Sequence, residues 1–227
     1  MFTEQEIKKA NATSRSNGAS AINPDGSIRA IVPNFIFKNI EEYLDKTILD
    51  YGAGKQAIHT NWLRENGLNV TAYDFGENCI EGIHDKNALN KRYDVIFASN
   101  VLNVQSSDVM MMATVYQIYK SLKKGGTFIF NYPTSPRKTN MPEWEVIGLV
   151  SGMFKAEVVN NEGIFQITKS EDTDKKVFIN IWRGLIEDIY SSDPDLEVCI
   201  IDHDNDYEDI VRINEEAIEE QKNYYKI

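Results

Sequence analysis

The sequence predicts a doubly wound α/β domain, a mostly parallel sheet with helices on both faces and extra antiparallel strands near the C-terminus. Three observations carry this. Short apolar runs alternate with stretches whose apolar residues recur every three or four positions. The run "YDVIFAS" is apolar enough to be buried on both faces, which is how parallel strands read. Two glycines, Gly52 and Gly54, directly follow the first run, where a strand turns into a helix.

The elements follow in order. Residues 1–30 are polar, rich in Ala, Asn and Ser, and carry Lys8, Lys9, Arg15 and Arg29; they read as a flexible arm. From Pro33, "PNFIFKNIEEYLDK" places Phe35, Ile36, Ile40, Tyr43 and Leu44 on one helical face. "TILDY" is a strand stopped by Gly52. Residues 56–66 carry Ile58, Trp62 and Leu63 at helical spacing and end at Gly67, a C-terminal cap. "NVTAYD" is a second strand, and "YDVIFAS" a third. Residues 108–123 repeat Val109, Met112, Val115, Tyr116, Tyr119 and Leu122 as a helix closed by "KKGG", before the strand "TFIFNY". "FKAEVVNN", "GIFQITKS" and "KKVFINIW" read as three strands with short turns that finish the sheet. From Asp206, residues Ile210, Val211, Asn214, Ala217 and Ile218 lie along an acidic helix. The domain therefore spans 31–182, and 183–227 is an acidic, partly helical extension.

Composition narrows the partners. A hydrophobic content of 42% suffices for a core, and 35 acidic against 24 basic residues give a net charge of -11. That charge opposes sequence-blind binding to nucleic acid or to anionic membranes. No apolar run is long enough to cross a bilayer and the N-terminus lacks the apolar middle of a signal peptide, so the expectation is a cytoplasmic protein without membrane contact. Cys79 and Cys199 lack metal-binding spacing. "IDHDNDYED" aligns Asp202, Asp204 and Asp206, but Tyr207 stands where a calcium loop needs Gly and Ile213 where it needs Glu, so no metal is expected.

In such sheets a ligand binds beyond the carboxyl ends of the strands, and the loop after the first strand is the usual cradle. Asp74 closes the second strand 20 residues after Gly54, where a carboxylate can accept from both ribose hydroxyls. Two cofactors fit. "GAGKQA" satisfies the dinucleotide fingerprint with Ala57 in third place, which points to a nicotinamide or flavin nucleotide. "LDYGAG" resembles instead the first motif of the class I S-adenosylmethionine-dependent methyltransferases, with Asp50, Gly52 and Gly54 matching and Gln56 where the usual third glycine stands. "DKNAL" resembles that family's third motif, "RYDVIFASNVLNV" its fourth-strand signature, and "SLKKGGTFIF" its helix, double glycine and fifth strand. The match covers residues 46–132, and its specificity lies in the order of the parts. The arm, "LDYGAG" and "VLNV" together also resemble methyltransferases associated with DNA phosphorothioation systems. The resemblance implies S-adenosylmethionine as cofactor, held by Asp50, Tyr51, Gly52, Ala53, Gly54, Asp74 and Phe75, with Asp85 and Asn87 reading adenine and Ser99, Asn100 and Val101 beside the pocket. One departure stands out: only 11 residues separate Asp74 from Asp85, which cuts the family's second helix to about a turn.

Methyl transfer from a sulfonium is an in-line displacement, so the protein holds donor and acceptor in line and excludes water. Tyr51, Phe75 and Tyr132 lie near strand ends where aromatic faces could meet a sulfonium, though each taken alone reads first as plain packing. No catalytic residue is assigned; His84 is either a base at the cofactor mouth or a surface histidine. "FNYPTSPRK" contains Asn131, Tyr132 and Pro133 in a different order from the Asn/Asp-Pro-Pro-Tyr motif of DNA adenine methyltransferases, and Arg137 and Lys138 suit an anionic acceptor. The preferred acceptor is a small molecule or nucleotide-like group. The competing readings are a DNA or RNA methyltransferase of a modification or defence system, an NAD(P)-dependent oxidoreductase, and a non-catalytic scaffold on the same fold.

Overall fold

Helices and strands alternate from Ile31 onward in the computed structural model, which describes residues 28–134 and 141–170 in full, the backbone of 177–182 and 185–191, and the single positions Gln5, Lys8 and Asn23. The polar arm as a whole, Arg137 and Lys138, and the acidic helix expected from Asp206 lie outside the described residues. Residues 1–192 form one unit and 193–227 a second, the latter wholly outside them.

The first helix, α1 (Ile31–Lys38), is shorter than the periodicity from Pro33 to Lys46 predicts. Asn39 ends it: its side-chain Nδ2 donates to Phe35 O at 2.9 Å, and a 3₁₀ turn over Ile40–Glu42 follows. Strand β1 (Thr47–Tyr51), helix α2 (Ile58–Glu65) and strand β2 (Asn69–Tyr73) then form the first strand–helix–strand unit. Between Tyr73 and the next strand, β3 (Tyr93–Ala98), there are two 3₁₀ turns, Gly76–Asn78 and Ala88–Asn90, and no strand. The segment whose sequence resembles a fourth strand is thus the third in this chain. Helix α3 (Asp108–Ser121), capped by Ser107 Oγ accepting from Met110 N at 3.2 Å, leads into β4 (Leu122–Asn131).

The glycines of "KKGG" lie inside β4 and not in a loop. They make an irregular register between β3 and β4, from Tyr93 opposite Leu122 to Val95 opposite Thr127. A Cβ on Gly126 would sit 2.9 Å from Lys123 O and 3.1 Å from Asp94 O, which explains the requirement for glycine there. The C-terminus of α3 is capped from β6 (Ile164–Thr168) by the residue that follows it, Lys169, whose Nζ donates to Tyr119 O at 2.8 Å and Leu122 O at 3.2 Å.

A helix absent from the sequence reading, α4 (Glu143–Phe154), lies before the stretch assigned to strands and takes only its first residue, Phe154. Val146, Val150, Met153 and Phe154 are its buried stripe, Pro142 its N-cap, and Gly148 and Gly152 dilute its helical signal. "FKAEVVNN" therefore contributes only β5 (Val159–Asn161), which pairs with β6. The third expected strand, β7 (Val177–Trp182), does not finish the main sheet. It pairs antiparallel with β8 (Leu185–Ser191) in a two-stranded sheet of its own.

The main sheet runs β2-β1-β3-β4-β6-β5, parallel from β2 to β4 and antiparallel beyond. Both faces are buried. Ile48, Val95, Phe97 and Ile129 pack under α1 and α2 with Ile36 and Leu63; the alternate residues Leu49, Ile96, Phe128 and Phe130 pack under α3 and α4 with Val115, Ile118 and Phe154. This is why the strands read as unbroken apolar runs. The strand order reverses at β1, whose neighbours β2 and β3 lie on either side, so the crevice between the carboxyl ends of β1 and β3 is the switch point of the fold. Among the described residues, no helix is long and apolar enough to cross a membrane.

Candidate functional site

The loop after β1 is tied to the end of β2 by its backbone. Gly52 N and Ala53 N both donate to Tyr73 O at 2.9 Å, and Gly54 N donates to Asp74 Oδ2 at 2.7 Å. In a cradle such amides would face a ligand; here they hold the loop against β2. The glycines are needed for geometry: φ is +83° at Gly52 and +73° at Gly54. A Cβ on Gly52 would lie 2.5 Å from Val101 Cγ2, so the missing side chain admits Val101 from the segment after β3, not a cofactor.

Two buried carboxylates lie beneath this loop. Asp74 is 5% exposed, and its other oxygen, Oδ1, accepts from Phe75 N at 2.8 Å. Asp50, at 2% exposure, accepts from Thr60 Oγ1 at 2.7 Å. Burial pushes the Asp50 carboxyl up to about 7, against the stabilising Thr60 hydroxyl and with the Asp74 charge adding to the rise. Burial also raises Asp74, although the amides of Phe75 and Gly54 favour its charged form.

His84 corrects both sequence readings, for it is neither a surface residue nor an available base. Its Nδ1 accepts from Ile80 N at 3.0 Å, which places its proton on Nε2, and Nε2 donates to Gly54 O at 2.8 Å. The imidazole is a brace under the loop. Asp85 and Asn87, expected to read adenine, form a local turn. Asp85 Oδ1 accepts from Asn87 N at 2.8 Å and Oδ2 pairs with Lys91 Nζ at 2.7 Å, an ammonium that holds this carboxyl below its usual range. The Asp85 amide donates to Ala72 O at 2.9 Å, so this turn runs along the outer edge of β2.

Of the three aromatics considered for a sulfonium, Tyr51 and Tyr132 are committed to packing. Tyr51 is fully buried, donates from its hydroxyl to Gln117 Oε1 at 2.6 Å, and packs on Tyr73 with centroids 5.2 Å apart. Tyr132 closes the base of its loop by donating to Met141 O at 2.7 Å. Phe75 is half-buried.

Residues 99–105, after β3, hold what sequence reasoning saw only in part. Ser99 Oγ, Asn103 Oδ1 and Gln105 Oε1 are buried and have no hydrogen-bond partner among the described residues. Gln105 is 1% exposed and donates through Nε2 to Val101 O at 3.0 Å. Asn100 has φ +57°, and its amide is joined to that of Asn131 on β4. A buried oxygen without a donor costs about 1–3 kcal/mol, so three of them on the segment that leaves β3 at the switch point suit a place where a ligand or water supplies N–H or O–H. Among the described residues, no three His, Cys, Asp or Glu side chains are grouped to hold a metal. A pocket of about 470 Å³ lies at the opposite end of the sheet, lined by Lys46, Asp94 and Lys124 among others, and contains none of these residues.

Residues 28–164 match a family profile described as a methyltransferase domain. This is more than half of the chain, and the protein belongs to the methyltransferase-domain family. No curated protein matches the sequence. Among solved structures, the chain is similar to the 1,6-didemethyltoxoflavin-N1-methyltransferase of Burkholderia thailandensis, at 18% identity, 62% of this chain and 77% of that one, and a TM-score of 0.47. It is also similar to a TehB-like SAM-dependent methyltransferase from Corynebacterium glutamicum, at 12% identity, 62% and 89% coverage, and a TM-score of 0.47. A third is the magnesium protoporphyrin IX methyltransferase of Synechocystis, at 12% identity, 61% and 76% coverage, and a TM-score of 0.44.

Proposed function

We propose that this protein transfers a methyl group from S-adenosylmethionine to a small-molecule or nucleotide-like acceptor. The observation that carries the reading, within the methyltransferase-domain family, is the set of donor-less buried oxygens of Ser99, Asn103 and Gln105 on the segment whose Val101 packs on Gly52. The amide oxygens of Asn103 and Gln105 require N–H or O–H donors and the Ser99 hydroxyl can accept one or donate, which suits the ammonium of the donor's methionine portion and the amino group of its adenine. Asp74 fits as well. A carboxylate has about four acceptor sites, and the amides of Gly54 and Phe75 with the Asn78 side chain take three, which leaves one for a ribose hydroxyl.

When bound, the cofactor supplies an electrophilic methyl group on a sulfonium. The chain's own work is positional. Asp74 and the glycine loop hold the nucleoside end, and residues 99–105 accept hydrogen bonds from the other side. No side chain is assigned as a base, since both nitrogens of His84 are engaged. The net charge of -11 favours a small acceptor over a duplex. The test is methyl transfer from a labelled donor into a metabolite extract, duplex DNA and RNA in parallel at low salt. Label in the extract supports the reading; label in DNA or RNA alone overturns the acceptor preference.

A further inference from the structure

Two asparagines 31 residues apart meet at the carboxyl ends of adjacent strands. Asn131 Oδ1 accepts from the backbone N of Asn100 at 2.8 Å, and Asn131 Nδ2 donates to Asn100 Oδ1 at 2.8 Å. Both bonds of this reciprocal pair fall on one residue, Asn100, whose φ of +57° is a conformation that asparagine tolerates better than other side chains but still adopts rarely. The next residue, Val101, is the one that packs on Gly52, and its carbonyl accepts from the buried Gln105. A continuous line of contacts thus runs from β4 through Asn131, Asn100 and Val101 to the glycine loop. Asn131 itself is 9% exposed, lies at the last position of β4, and belongs to none of the motifs that resemble a cofactor site.

We infer that Asn131 is a positioning residue for the methyl donor, holding Asn100 in its left-handed conformation so that Val101 and the partnerless oxygens of residues 99–105 face the cofactor crevice. This rests on the methyl-donor reading above. Without the tether, Asn100 relaxes toward negative φ, which swings the Ser99 and Val101 positions relative to the glycine loop and disperses the acceptor set. The effect reaches the cofactor only through Asn100. Two substitutions should therefore restore what the loss of Asn131 removes. An aspartate at 131 accepts from Asn100 N and, with the Asn100 amide turned over, from its Nδ2. A glycine at 100 adopts positive φ without help.

The experiment is calorimetric titration of the full chain with S-adenosylhomocysteine, alongside thermal melting of the ligand-free protein. Asn131→Leu is expected to weaken binding at least about tenfold, the loss of two hydrogen bonds that organise the site. Asn131→Asp should stay within about threefold of wild type, and Asn100→Gly in the Asn131→Leu background should recover most of the loss. If Asn131→Leu does not fold, Asn131→Ser, too short to span the pair, takes its place with the same expected loss. Wild-type binding with unchanged affinity in the Leu or Ser variant overturns the inference alone. So does a loss that neither Asn131→Asp nor Asn100→Gly restores, because that is the signature of simple packing damage. A wild-type protein that does not bind S-adenosylhomocysteine overturns the methyl-donor reading and the inference together.

Discussion

Asp74 Oδ2 accepts a 2.7 Å hydrogen bond from the amide of Gly54, so the carboxylate at the end of β2 and the loop after β1 are one mechanical unit. A side chain expected to meet a ribose also fixes the backbone that would lie beside it.

That dual role makes Asp74→Asn informative. The amide keeps one acceptor oxygen, so one of the two backbone donors, Gly54 N or Phe75 N, loses its partner or meets an N–H. Affinity for S-adenosylhomocysteine should fall by about 1.5–3 kcal/mol, the usual worth of a charge-assisted hydrogen bond. The melting temperature of the ligand-free protein should fall as well. Unchanged melting with lost affinity would show that Asp74 serves the ligand alone.

Gly52→Ala is predicted to lower stability by about 2 kcal/mol or more. Its φ of +83° disfavours any Cβ, and the added carbon would sit 2.5 Å from Val101 Cγ2, a β-branched side chain with little freedom to turn away. Urea unfolding measures this; a midpoint equal to wild type would mean that residue 101 moves without cost.

Much of the strand pattern was legible because both faces of the sheet are covered, which leaves β1 and β3 as unbroken apolar runs that two glycines punctuate. Helix α4 was not: Gly148 and Gly152 interrupt its stripe and weaken the helical signal of residues 143–154. At the site, the glycines, Asp50 and Asp74 stand out by type and spacing. The brace formed by His84 depends on a turn closed from Ile80, and the Asn100–Asn131 pair depends on β3 lying beside β4. Neither contact leaves a periodic trace in the chain. The hairpin of β7 and β8 escaped for a similar reason, since an alternating strand reads alike whether it joins the main sheet or a partner of its own.

Two carboxylates titrate in opposite senses. Asp50 has a folded value near 7, above its unfolded value, so the folded protein binds the extra proton between about pH 4 and 7 and this group's contribution falls as pH rises through that window. Asp50→Asn should remove this slope, worth on the order of 1–3 kcal/mol between pH 4.5 and 7.5 in chemical denaturation. A wild-type slope that persists in the variant would show that Asp50 stays ionised in its burial site.

Asp94 behaves the other way. Burial alone would raise its carboxyl, but the Lys123 ammonium at 2.8 Å and the hydroxyl and amide of Thr47 at 2.6 and 2.9 Å outweigh it and hold it well below the usual range. Its stabilisation is complete above the unfolded value of about 4 and lost as pH falls below that toward the folded value. Because it joins the starts of β1, β3 and β4, Asp94→Ala should cost about 2–3 kcal/mol at pH 6 and progressively less under acid. An equal cost at pH 6 and pH 3 would contradict the ion pair as its source.

The central claim, that the β1–β3 crevice is a methyl-donor site, is tested most directly by titrating the 227-residue chain with S-adenosylhomocysteine and, separately, with NADH in a calorimeter. The account predicts saturable binding of S-adenosylhomocysteine at one site, weakened in Asp74→Asn, and much weaker binding of NADH. Tighter binding of NADH, or no binding of S-adenosylhomocysteine by the folded protein, would contradict it.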